Sequence, residues 1–324
     1  MATAQQTITV LCGGVGAARF LRALRHVVDS SQVTGVVNTG DDTVLHGLSI
    51  SPDLDTITYT LAEAIDPVRG WGLVDESWRA MEALARFVAV RPDGSTAAPT
   101  WFNLGDTDLA THFYRTARLA EGATLTEVTA EITRAWAIPE RLLPMTDDRV
   151  ATLVHLADGP TVSFQEYFVQ LRHGVPVSGV TFDGASLATL QPAAREAVID
   201  ADVVIVAPSN PIVSIGPMRA LPEVDALLAR RRSSVVAISP IVGGAALKGP
   251  ADRMLVELGH EASVVGIARL YRDIAATLVI DPVDAHLADA VEAAGMRCVV
   301  VASVMTTPEV GAELARTVLA AAAS

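Results

Sequence analysis

The sequence predicts an α/β fold: a Rossmann-like, mostly parallel sheet flanked by helices, with an inserted helical, aromatic-rich subdomain. Three observations predict it. Residues 7–12 are a β-branched, apolar run that stops at Gly13-Gly14-Val15-Gly16, after which Phe20, Leu21, Leu24, Val27 and Val28 fall at helical spacing. A second run, Val33–Val37, ends at Asn38-Thr39-Gly40-Asp41-Asp42 and completes a βαβ unit. The alternation returns with apolar blocks at 203–207, 235–238, 263–267, 277–280 and 298–302, so the sheet is assembled from both ends of the chain.

Each segment has its own justification. Residues 1–55 and 146–324 read as the nucleotide-binding core, because the strand-like blocks lie there. Between them, 56–145 is irregular and mainly helical, punctuated by Pro67, Gly70, Gly72, Pro92, Gly94, Pro99 and Gly105. Nine of the fifteen aromatic residues crowd into this insertion, including all four tryptophans. Such crowding either stabilises a small subdomain by burying large rings or walls a site for a flat ligand. Residues 150–156 and 161–169 read as a hairpin around Asp158-Gly159-Pro160.

Composition excludes several classes. With 24 Lys plus Arg against 37 Asp plus Glu, the chain of 324 residues carries a formal charge of -13, so it has no basic field for a nucleic-acid polymer. Its apolar runs are strand-sized, which predicts a soluble protein without membrane spans. The two cysteines, Cys12 and Cys298, have no metal-ligand or CxxC spacing and predict reduced thiols in a cytoplasmic protein. Residues 1–7 lack the charged and apolar regions of an export signal.

The glycine turn, Gly13 to Gly16, sits where backbone amides approach a phosphate at a helix N-terminus. The third glycine of the dinucleotide fingerprint is replaced by Arg19 and no Walker lysine follows, so nicotinamide binding and P-loop hydrolysis lose ground; the bland alternative is a tight turn. Asp41 and Asp42 follow the second strand, and Asp53 and Asp55 lie two apart, on one face if the segment is extended. Carboxylates gathered at a sheet's carboxyl edge need a cation, and Mg2+ with phosphate oxygens is the economical one; capping and loop solvation compete for each aspartate singly. Residues 101–112 form a polar loop entering a helix, on which His112 reads as a structural hydrogen-bonder and Arg115 and Arg118 as a solvated face. Ser209, Asn210 and Ser239 end buried strands and serve either a ligand or the turns that prolines build there. Lys248, the sole lysine, is exposed by default and a phosphate contact by exception.

These residues carry a resemblance. GGVGAARF (13–20), NTGDD (38–42), SPDLDT (51–56), WFNLGDTDLATH (101–112), LPMTDD (143–148), FQEYFV (164–169), PSNPIVSIGP (208–217) and SPIVGGAALKGP (239–250) occur in the order seen in the phosphoenolpyruvate and 2-phospho-L-lactate transferases of coenzyme F420 biosynthesis, with the glycine loop of the bacterial branch. The resemblance implies transfer of a phosphoenolpyruvyl or 2-phospholactyl group from a guanosine diphosphate-activated donor to the deazaflavin Fo, with release of GMP. It implies that Gly13, Gly14, Val15, Gly16, Asn38, Ser209, Asn210 and Ser239 serve the nucleotide, that Asp55 and Asn103 serve Fo, and that Asp41 and Asp55 hold Mg2+. Asn103 departs from archaeal relatives, which often carry a basic residue there. Either Asp42 or Asp53 would serve as the base, the insertion is implied as the wall against the fused rings, and the apolar content of the chain predicts a homodimer. The alternative is the related gluconeogenesis-factor type, a regulatory binder of nucleotide sugars. Few cations in an acidic chain predict that amides and a divalent ion hold the donor's phosphates.

Overall fold

The computed structural model describes residues 6–322; residues 1–5, which carry most of the segment read for an export signal, and 323–324 lie outside the described residues. Seven strands form the central sheet: β1 (Ile8–Cys12), β2 (Val33–Val37), β3 (Arg141–Pro144), β4 (Val203–Val206), β5 (Val235–Ile238), β6 (Thr277–Ile280) and β7 (Arg297–Val300). All neighbours are parallel and the spatial order is β7-β6-β5-β4-β1-β2-β3. This is a doubly wound sheet whose order reverses between β1 and β4, where such sheets open a crevice for ligands.

The strand sequences explain the burial. Val10 and Cys12 of β1, Val203 and Ile205 of β4, and Val236 and Ile238 of β5 pack with Phe20, Leu21 and Leu24 of helix α1 (Gly14–Leu24) and with Leu314 and Val318 of the C-terminal helix Pro308–Ala322. Leu11, Val204, Val206, Val235 and Ala237 face the other way, onto Leu227, Leu228, Ile267 and Tyr271. Both faces are covered, so the strands need continuous apolar runs rather than alternation.

Three expectations change. Residues 263–267 are no strand: Ser263 caps the helix Val264–Tyr271, its Oγ accepting the Val265 and Gly266 amides at 3.1 Å. Val264, Val265, Gly266, Ile267 and Ala268 are buried in succession, and so short an unbroken apolar run reads alike as helix or buried strand. The 161–169 strand stops at Ser163, where the Ser163 hydroxyl and amide engage Glu166 and a π-helical turn, Glu166–Gln170, begins. Its partner Ala151–Leu156 pairs on its other side with Val177–Asp183, giving a separate three-stranded antiparallel sheet. The edge strand β3 comes from within the segment read as insertion and pairs with β2.

The remaining β2-to-β3 connection carries α2 (Pro52–Leu61), packed on α1 through Leu54, Ile57 and Leu61, then α3 (Arg79–Val88), α4 (Asp108–Ala120) and α5 (Leu125–Ala135). No helix among the described residues is long and apolar enough to cross a membrane.

Candidate active site

A cavity of about 610 Å³ opens at the crevice between β1 and β4. It brings together Gly13, Gly14, Val15, Gly16, Asp41, Asp53, Asp55, Asn103, Ser209, Asn210 and Ser239 from six separate stretches of chain. Asn38 and Asp42 do not line it; they lie buried or half-buried behind the wall.

The glycine loop is shaped by close approach. A Cβ at Gly16 would stand 2.3 Å from the Pro208 carbonyl oxygen, and one at Gly13 would stand 2.5 Å from Asp53 Oδ2. The loop's amides are partly committed. Gly13 donates to Ser209 Oγ at 3.2 Å, whose hydroxyl donates back to the Gly13 carbonyl at 2.8 Å. The Gly14 amide hydrogen-bonds the Asp53 carboxylate. Val15 and Gly16 line the cavity in the first turn of α1, where the helix itself leaves backbone amides without partners. Asn210 and Ser239 keep the turn role: Asn210 Oδ1 accepts from Ile212 at 2.9 Å, and Ser239 Oγ donates to the Ile241 carbonyl at 2.8 Å.

Asp53 and Asp55 were expected on one face of an extended segment. They lie instead in the first turn of α2, because Ser51-Pro52 starts a helix, and two residues on a helix turn about 200°. Asp53 points to the glycine loop, where Asn38 Nδ2 donates to Asp53 Oδ2 at 3.0 Å and to Asp41 Oδ1 at 3.1 Å. Gln165 Nε2 also reaches the Asp41 carboxylate, at 3.4 Å. The pairing is therefore Asp41 with Asp53 rather than Asp41 with Asp55.

Asp55 turns to Arg115, which grips both its oxygens, Nη1 to Oδ2 at 3.1 Å and Nη2 to Oδ1. Arg115 is 2% exposed, so its reading as a solvated face is corrected. It belongs to one stripe of α4, Asp108, His112 and Arg115, at positions i, i+4 and i+7; that spacing was a signal for a functional face. His112 Nε2 lies 3.2 Å from Asp108 Oδ2, and the Tyr59 hydroxyl donates to Asp108 Oδ1.

The electrostatics separate these carboxylates. Burial, with Asp53 and Asp42 nearby, raises the Asp41 carboxyl well above the usual range. Burial raises Asp42 as well, against the Ser51 hydrogen bond and the Arg115 charge. Asp53 is pushed up to about 6 by burial, which the Asn38 and Gly14 hydrogen bonds only partly offset. For Asp108 burial acts upward, but His112 and Tyr59 carry it below the ordinary value. The floor thus lacks positive charge beside Asp41 and Asp53, and Asp42 Oδ1 is buried with no partner among the described residues. No group of three or more His, Cys, Asp or Glu among the described residues is placed to hold a metal unaided. Two carboxylates do fit a hard cation that completes its shell from substrate oxygens and water, as Mg2+ does.

The cavity's rings come from two places. Tyr59, Trp71 and Phe102 belong to the insertion, but Phe164 and Phe168 do not. Phe164, Phe168 and His173 form a stack, with centroids 5.5 Å apart at each step and planes within 22°. Arg19, Arg69 and Lys248 also line the cavity, Lys248 Nζ lying 3.5 Å from the Arg69 carbonyl. The cations that composition seemed to deny are few but gathered here.

Fold and site define a doubly wound α/β protein with a polar-floored, ring-walled cavity at the carboxyl edge of its sheet. Its parallel α/β sheet is the fold that the motifs implied. The chain belongs to the family of 2-phospho-L-lactate transferase CofD, whose model matches residues 8–303, and is a transferase by that membership. It is 42% identical over 320 residues to a phosphoenolpyruvate transferase of Kitasatospora aureofaciens, covering 97% of each chain. It is 40% identical over 327 residues to one of Mycobacterium sp. (strain JLS), covering 95% of this chain and 96% of that one. Among solved structures, protein BH3568 of Bacillus halodurans superposes with a TM-score of 0.63 at 14% identity, over 97% of this chain and 99% of that one, a likeness of fold.

Proposed function

We propose that the protein transfers a phosphoenolpyruvyl group, or its 2-phospholactyl counterpart, from a guanosine diphosphate-linked donor to the deazaflavin Fo, giving dehydro-F420-0 or F420-0 and GMP. One observation carries the reading: a single cavity joins a helix N-terminus, a pair of under-neutralised carboxylates and a set of aromatic rings. Those are the parts needed for phosphate, for charge neutralisation and for a flat polycyclic acceptor.

In this reading a ribityl hydroxyl of Fo attacks the phosphorus that bears the three-carbon acid, the bond from that phosphorus to the GMP oxygen breaks, and the hydroxyl proton is lost. Val15 and Gly16 present amides to the donor's phosphates, with Arg19 and Lys248 as cations on the same walls. Asp41 and Asp53 hold Mg2+, which when bound supplies charge to the phosphate oxygens. Asn38 and Gln165 orient Asp41. The buried aspartates of the floor are the acceptors available for the hydroxyl proton. Trp71, Phe102, Phe164 and Phe168 enclose the fused rings, and Asn103 lies on the acceptor side. The enzyme is taken as a cytoplasmic homodimer, which sedimentation and fractionation test.

The deciding experiment is mass spectrometry of the product formed from Fo with the enolpyruvyl and the lactyl donor, with and without Mg2+. A phosphodiester of Fo together with GMP is expected. No Fo binding alongside tight binding of a nucleotide sugar would overturn the reading in favour of the regulatory alternative.

A further inference from the structure

Arg115 is a buried guanidinium beside Asp55 and Asp42, yet it does not line the cavity. Its Nη1 reaches Asp55 Oδ2 at 3.1 Å, the Ser49 carbonyl at 3.4 Å and His112 Nδ1 at 3.4 Å, and its Nη2 is spent on Asp55 Oδ1. A guanidinium only donates, so His112 Nδ1 faces it as an acceptor, while Nε2 lies 3.2 Å from Asp108 Oδ2. Tyr59 closes the chain by donating to the other Asp108 oxygen. Tyr59 and His112 thus sit against Asp108 and Arg115 against Asp55, and both carboxylates line the cavity.

Such a chain has a geometric consequence. Asp55 sits in the first turn of α2 with a short side chain; left alone it would sample several rotamers, and a planar bidentate fork selects one. We propose that Arg115 is a positioning residue of the transfer: acting through Asp55, it fixes a hydrogen-bond acceptor at the cavity wall for a hydroxyl of the acceptor substrate. The inference rests on the transferase reading given above. It also divides the floor, since the aspartate gripped by Arg115 is the one withdrawn from the pair bridged by Asn38.

The test is a double-mutant cycle on kcat with Arg115→Met, Arg115→Lys and Asp55→Asn, assayed well below each variant's melting temperature. Misplacing a reacting group costs on the order of 100-fold, so that loss is expected for Arg115→Met, with KM for the nucleotide donor changed less than about threefold. Arg115→Lys keeps the charge without the fork and is expected to recover about tenfold of it. In the Asp55→Asn background, Arg115→Met should cost no more than about twofold further. Losses that multiply, or full kcat in Arg115→Met, overturn the proposal. A crystal structure of Arg115→Lys decides independently of any substrate: Asp55 displaced while Asp41 and Asp53 stay in place supports it, and Asp55 unmoved overturns it. Absence of wild-type turnover would count against the substrate assignment alone, because that crystallographic arm would stand.

Discussion

Asp53 and Asp55, separated by a single residue, answer to different partners: Asp53 to Asn38 at 3.0 Å and Asp55 to the buried Arg115 at 3.1 Å. A helical turn of α2 parts them. The consequence is a division of labour among neighbouring carboxylates, one neutralised by a guanidinium and one held near another carboxylate with only an amide between.

The first prediction concerns pH. A carboxyl whose folded value is raised, as Asp53 is to about 6, stabilises the fold fully below its unfolded value near 3.8, and that contribution is lost as pH rises through 6. Metal-free protein is therefore expected to be more stable at pH 5 than at pH 7.5, by about 1 kcal/mol from Asp53 alone, a melting shift of about 2 °C. Thermal melts in EDTA check this, and Asp53→Asn should remove that part of the difference.

Magnesium should act with the opposite pH preference. A cation that neutralises Asp41 and Asp53 competes with protons, so its stabilisation is expected to be larger at pH 7.5 than at pH 5. Calorimetric titration should show binding weakened about tenfold or more in Asp53→Asn, the loss of one ligand. An unchanged affinity would remove Asp53 from the metal site.

Asp55→Asn should behave differently from Asp53→Asn. It leaves Arg115 as a buried charge with half its partner, and breaking a buried pair costs roughly 3–5 kcal/mol. A marked fall in melting temperature is expected, with most of it recovered in the Asp55→Asn/Arg115→Met double variant; chemical denaturation measures both.

Gly16→Ala tests the crevice itself. The added methyl would meet the Pro208 carbonyl oxygen at 2.3 Å, a backbone atom that cannot swing aside. Loss of roughly 1–3 kcal/mol is expected from overpacking, with weaker donor binding as α1 is pushed from β4. Wild-type stability would mean that the two loops are not in contact.

The aromatic wall gives the last prediction. Phe168 stacks on Phe164 at 5.5 Å from outside the insertion, so Phe168→Ala is expected to raise KM for the acceptor about tenfold and leave KM for the donor within about twofold. Phe113→Ala, on an exposed ring that does not line the cavity, should change neither.

Much of this molecule was legible in its sequence because the information was local. A β-branched run ending in Gly13-Gly14-Val15-Gly16 can hardly be anything but strand, turn and helix, and the ordered motifs placed β1, β2, β4, β5 and β6 and most of the cavity lining. What sequence reading misjudged shares one cause. Residues 264–267 are an unbroken apolar run too short to show a period; Arg115 carries a charge, so its burial depends on Asp55 arriving from another helix. Strand β3 lies after four helices, and nothing in four residues says which sheet edge they will join. The sequence by itself determined the elements, the acidic balance and the family motifs. Only the tertiary structure decided which aspartates meet, because a carboxylate's partner is set by the face its helix presents and by what packs against that face, and neither is written at the carboxylate's own position.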